Sequence, residues 1–208
     1  FKRAPGFMDV VAYTGTGSAT TVNHNLTVAP EFVITKMRTD AGYDWICWHS
    51  GLSTNNTYIQ LNYGATENSN SNPWNNTAPT STQFSLGNWE SNTSSKNYIA
   101  YLFATLSGIS KVGSYTGTGN AINVDCGFTS GARFVLIKRT DSNGNWVLFD
   151  STRGIVSGND PYLRPNSTQV ETTDEDHIGP LNAGFTVSAG SGNDTNASGS
   201  NYIFLAIA

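Results

Sequence analysis

Charge is what this sequence has least of. Lysine and arginine number 11 and aspartate and glutamate 15, together 12% of 208 residues, about half the usual share. A disordered chain depends on charge for its solubility, whereas this one carries 12% aromatic residues, the composition of a chain with a core. The formal net charge is −4 and no Lys or Arg cluster is present, so nucleic acid is not an expected partner. No apolar run approaches the length of a membrane-spanning helix, and no membrane insertion is expected. No segment sustains a 3.6-residue apolar period, so almost no helix is expected. Cysteine is nearly missing too. Cys47 and Cys126 align with Leu148 and His24, so neither recurs in the duplication described next. Two separate buried thiols are expected rather than a disulfide.

What is abundant is Gly, Ser, Thr and Asn, set between short apolar runs, and the whole pattern occurs twice. Residues 6–17, GFMDVVAYTGTG, recur as GISKVGSYTGTG at 108–119, and Glu31–Lys36 (EFVITK) recurs as Arg133–Lys138 (RFVLIK). Asp44–Ser50 matches Asn145–Ser151, and Asn97–Ala104 (NYIAYLFA) matches Asn201–Ala208 (NYIFLAIA). A period near 100 residues is domain-sized, too long for a solenoid or propeller repeat. Val, Ile, Phe, Tyr and Trp cluster every 8–15 residues between turn-forming residues, the mark of an all-β sandwich or barrel. Two tandem jelly-roll-like β-sandwich units are therefore expected, 1–107 and 108–208, packed as one rigid body. Within each, seven strands are expected, starting near Val10–Thr14, Thr20–Asn25 and Phe32–Arg38 in the first copy. The closing strands Tyr98–Leu106 and Tyr202–Ala208 are apolar on both faces, which places them centrally. Features shared by both copies belong to architecture, and features of one copy are better candidates for function.

The Gly15-Thr16-Gly17 and Gly117-Thr118-Gly119 pairs lack the helix and the Lys of a phosphate loop. A turn that needs positive φ explains both. His24, His49 and His177 have neither the spacing of a zinc site nor a positioned nucleophile, and they read as surface or turn residues. The acidic run at 174–176 occurs in the second copy alone. Asp174 and Asp176 are the candidate calcium ligands there, although no calcium-loop pattern accompanies them. A solvated loop is the simpler reading, and no cofactor is expected. Trp45 and Trp146 recur in equivalent contexts and are assigned to cores or a seam. Trp74 and Trp89 have no counterparts and sit in polar runs. An indole there can stack on a sugar, meet a subunit, or fold back onto its own domain. With Asn75, Asn76 and Asn92 as short hydrogen-bonding arms, they form the candidate receptor site.

The stretches Lys2–Gly17, His24–Leu26 with Ala29–Ile34, and Cys126–Phe128 with Gly131–Asp141 resemble a duplicated β domain of tailed phages of marine and freshwater bacteria, cyanophages included. The resemblance covers nearly the whole chain. It implies a virion surface protein, the C-terminal module of a tail fibre or similar appendage, and carries no catalytic residues with it. The expected function is non-enzymatic attachment to a bacterial surface glycan or other receptor, beside other virion proteins, as a homotrimer. A purely structural virion role (capsid decoration or adaptor) and a polysaccharide depolymerase remain the alternatives. An enzyme should show convergent carboxylates or a nucleophile–base set, and the sequence offers only the 174–177 run.

Overall fold

The computed structural model describes residues 2–208 and is all-β. The chain divides into two compact units, Phe1–Leu61 with Glu67–Thr105, and Asn62–Thr66 with Leu106–Ala208. The first contains β1 (Met8–Thr14), β2 (Thr20–Asn23), β3 (Phe32–Met37), β4 (Trp45–His49), β5 (Thr57–Gln60), β6 (Asn68–Ser69), β7 (Gln83–Leu86) and β8 (Asn97–Phe103). The second contains β9 (Ser110–Thr116), β10 (Ile122–Asp125), β11 (Phe134–Arg139), β12 (Trp146–Asp150), β13 (Ile178–Leu181), β14 (Gly184–Val187) and β15 (Asn201–Ile207). The only helical turn among the described residues is a three-residue 3-10 turn, Glu90–Asn92.

In the first unit the large sheet runs β1-β8-β3-β4-β5-β6, and β2-β7 forms the facing ribbon. Val33, Trp48 and Leu102 from the sheet and Phe84 and Leu86 from the ribbon meet in one core. In the second unit the sheet runs β12-β11-β15-β9 and the facing layer is β10-β14-β13. Val135, Phe149 and Phe204 pack there against Val124, Phe185 and Val187. Removing each such side chain from water contributes about 1.5–3 kcal/mol, and alternation along the strands supplies it.

The register repeats as the duplication requires. Phe32 pairs with His49 and Phe103, and Phe134 pairs with Asp150 and Ile207. Tyr98 pairs with Tyr13 and Met37, and Tyr202 with Tyr115 and Arg139. Each tyrosine pair stacks, at 4.9 Å in the first unit and 5.0 Å in the second. The Gly-Thr-Gly turns are equivalent as well. Gly17 and Gly119 adopt φ of 72° and 73°, a region open to glycine. A Cβ on Gly15 would lie 2.2 Å from the Thr93 carbonyl oxygen, and one on Gly117 2.3 Å from that of Ala197. Thr16 N donates to Asn92 Oδ1 at 2.8 Å and Thr118 N to Asn196 Oδ1 at 2.9 Å.

Some expectations need correction. The fifth of the seven strands expected in each copy forms as β5 in the first unit, but in the second it is reduced to single bridges at Tyr162 and Leu163. Trp146 is buried but Trp45 is half-buried, with Lys36 Nζ 5.8 Å from its ring centre. The cysteines are as expected: Cys47 and Cys126 are free and buried, and burial pushes the Cys126 thiol up to about 12.

Candidate functional site

The proposed receptor loops of the first unit turn inward. Asn75 and Asn76 both adopt left-handed φ, 49° and 48°, a conformation asparagine tolerates. With Thr77 N donating to Trp74 O at 3.1 Å, the chain reverses and carries the indole into the core. Trp74 is 2% exposed and belongs to the first hydrophobic cluster. Trp89 is half-buried, edge-on to Tyr58 at 4.7 Å and packed on the same cluster. Asn92 is fully buried, and its amide donates to the Ser18 and Gly87 carbonyls at 2.7 and 2.9 Å. Only Asn75 and Asn76 are exposed. Trp74 and Asn92 are therefore framework residues, because an indole on a polar loop finds less costly cover in its own core than in water.

The second unit builds a different corner at the same place. After β12 the chain returns so that Leu163 bridges Leu148 and Tyr162 bridges Thr172. It then passes through the acidic run to His177 and β13. Asp160 is fully buried and anchors this return, accepting from Val156 N and Ile178 N at 3.1 and 3.0 Å. Desolvation raises its carboxyl above the ordinary value despite those donors. His177 is 5% exposed, which overturns its reading as a surface residue. Its Nδ1 lies 2.9 Å from Thr195 Oγ1 and its Nε2 2.9 Å from Glu175 Oε2. The ring stands edge-on to Tyr162 at 4.8 Å.

Tyr162 and Arg164 complete the network. The Tyr162 hydroxyl donates to Glu175 Oε2 and accepts from Arg164 Nη2. Arg164 lies over the Tyr162 ring at 4.8 Å, donates to Gln169 and Thr172, and approaches Asp194 Oδ2 at 3.9 Å. Hydrogen bonds from Tyr162 and then His177 hold the Glu175 carboxyl below its usual range. Burial, followed by the Glu175 carboxylate, pushes Tyr162 up to about 12. Asp194 accepts from Asn145 N and Nδ2 at 2.8 and 2.9 Å. Between the acidic run and residues 189–194 opens a cavity of about 630 Å³, lined by Arg164, Glu175, Asp176, His177, Ser191 and Asp194 among others. That volume lies within the range of small-ligand sites, about 300–1,000 Å³.

Residues 2–208 match the family described as Domain of unknown function (DUF7483). The chain belongs to that family. No curated protein matches it. Membership in the family thus covers both units and assigns no chemistry to either.

The acidic run contributes to this corner through Glu175 and Asp176, whereas Asp174 does not line the cavity. Asp174 and Asp176 are exposed, and Asp176 accepts from the Ser188 hydroxyl. No group of three or more metal-ligating side chains converges among the described residues. Calcium takes six to eight oxygens, more than these two carboxylates supply by themselves. Tyr162, Arg164 and His177 were the residues sequence reasoning missed. Their signal was available: Arg164 and His177 belong to the second copy alone.

Proposed function

We propose that this chain is a virion surface protein of a tailed phage, a module of a tail fibre or related appendage that contacts the host surface and binds glycan there. The resemblance of its opening and its central strands to phage appendage domains supports the class of function. The single observation that carries a binding role is the cavity of the second unit, about 630 Å³ and lined by polar side chains. The corresponding corner of the first unit is plugged by Trp74 and Trp89. Duplication preserved the frame and left one copy with an open, hydrogen-bonding recess. A short, exposed amide arm such as Asn193 suits the many hydroxyls of a saccharide, as it suits other adaptable sites. The protein acts by adhesion, without catalysis.

The working particle in this reading is a homotrimer beside other virion proteins. With 12% charged residues, the chain has little charge repulsion to keep copies apart. Sedimentation at moderate and high salt should give the same multiple of 22.3 kDa. The deciding experiment is antibody labelling of phage particles together with competition of adsorption by the purified chain. Label on the tail appendage and protected host cells support the reading. Label on the capsid with no competition moves the chain to a structural role, and label absent from particles overturns a virion role.

A further inference from the structure

The cavity of the second unit has a definite hydrogen-bonding sign. Its one permanent cation is spent inward: Arg164 is committed to Tyr162, Gln169 and Thr172 and leans on Glu175 and Asp194 at 3.8 and 3.9 Å. The carboxylates are not spent in the same way. Every side-chain contact of Glu175, from Tyr162, His177 and Arg164, goes through Oε2, which leaves Oε1 for a ligand. Asp176 uses Oδ1 for Ser188, which leaves Oδ2. Tyr162 and His177, buried at 0% and 5% exposure, fix Glu175 from behind. The cavity therefore offers acceptors on a negative wall, and its one guanidinium faces inward, with Nε buried without a hydrogen-bond partner and out of a ligand's reach. An anionic ligand would meet three carboxylates, Glu175, Asp176 and Asp194, and like charges in a recess are repelled.

We propose that this cavity takes a sugar-sized, hydroxylated ligand bearing a protonated primary amine, the chemistry of an unacylated amino sugar, and excludes uronic and other acidic sugars. The ammonium sits between Glu175 Oε1 and Asp176 Oδ2, and the ring hydroxyls are left to the exposed Asn193 amide, because the buried Ser191 hydroxyl already donates to the Ser188 carbonyl and accepts from Thr195 Oγ1. This rests on the glycan reading above and narrows it to one charge class.

The test is amide-resolved NMR titration of the intact chain with glucosamine, N-acetylglucosamine and glucuronate in mildly acidic buffer. Glucosamine should shift amides of residues 175–177 and 189–194. N-acetylglucosamine should bind at least tenfold more weakly, and glucuronate should leave the spectrum unmoved. Glu175→Gln should weaken glucosamine at least tenfold. Because Glu175 also braces His177, Asp176→Asn supplies the second variant, at an exposed position, with several-fold weakening and an unchanged melting temperature. Equal binding of the acetylated and free amines, or binding of glucuronate, overturns the proposal. So does glucosamine binding that neither variant weakens. Ethanolamine and glucosamine distinguish an amine-only site from an amino-sugar site, and equal affinity for both overturns the sugar part. If these fail while the chain still competes for adsorption, the attachment reading stands and the charge class falls.

Discussion

Tyr58 and Tyr162 hold the same register place, each one residue before the position that pairs with the fourth strand of its copy. Around Tyr58 the corner is closed by Trp89 at 4.7 Å, with Trp74 in the core that both join. Around Tyr162 it is occupied by His177, Glu175 and Arg164 and opens into a cavity. The backbone frame did not change with it. Ser91 and Thr195 both accept from the conserved-in-register tyrosines Tyr13 and Tyr115 through their carbonyls, and Asn92 and Asn196 clamp the same turn. The difference teaches that hydrogen bonds to the backbone fix this fold, while the corner beside them can be filled with apolar volume or wired with polar groups.

The largest effect expected from breaking the comparison is at the plugged corner. Trp74→Ala should cost about 3–5 kcal/mol, read by denaturant unfolding, because it empties a fully packed site. Trp74→Phe should cost less than the volume loss alone suggests, since the indole Nε1 is buried without a hydrogen-bond partner and its removal relieves that penalty. If Trp74→Ala unfolds at the wild-type midpoint, the plug is not structural.

Lys36 and Lys138 give the next contrast. They share a register place opposite Trp45 and Trp146. Lys36 lies beside a half-buried ring, but Lys138 is fully buried and donates to the Arg139 carbonyl at 2.7 Å. Burial lowers the Lys138 amine from 10.5 to about 8. The unfolded chain then holds the proton over a range where the folded chain has lost it, so this group makes stability rise with pH between about 8 and 10.5, by up to about 1.4 kcal/mol per pH unit. Lys138→Met should be more stable than the wild type below that window, with the gap closing across it. A gap that does not change with pH rejects the burial argument.

Much of this was legible in the sequence. The runs that became β3, β8, β11 and β15 declared themselves because β-branched and aromatic residues are continuous there, and duplication confirmed each against its copy. β13 was not legible: Ile178-Gly179-Pro180-Leu181 contains residues that weaken strands, and it is tolerated because it sits at a sheet edge. Trp74 misled because its neighbours are polar, and burial of one residue within a polar run depends on a reversal that composition does not encode. Asn92 misled for a different reason. It has a counterpart, Asn196, in the same register as the closing match of Asn97 with Asn201, so the duplication itself marked it as architecture. His177 looked exposed because it follows three acids, whereas its burial depends on Thr195, which is 18 residues away.

The paired clamps offer a smaller and symmetric test. Asn92→Ala and Asn196→Ala should each cost about 1–3 kcal/mol, the penalty for leaving buried backbone groups unpaired, and the two costs should agree. Unequal costs would mean that the frames are less alike than their hydrogen bonds. The smallest effect is at Tyr162→Phe, about 0.5–1.5 kcal/mol. The folded Glu175 carboxyl lies below its ordinary 4.5, so its contribution is present above that pH and is lost as pH falls through the folded value. Without the Tyr162 hydroxyl the folded value moves back toward the ordinary one, and the acid-induced loss of stability should shrink.

The most direct test of the central claim, that the open polar corner is the binding site and the plugged corner is frame, is NMR shift mapping of the chain with fragments of host surface glycan. The account predicts that the perturbed amides fall at residues 175–177 and 189–194, with those around Tyr58, Trp74 and Trp89 unmoved. Perturbation centred on Trp74–Asn76 or Trp89, with the second unit silent, would contradict it.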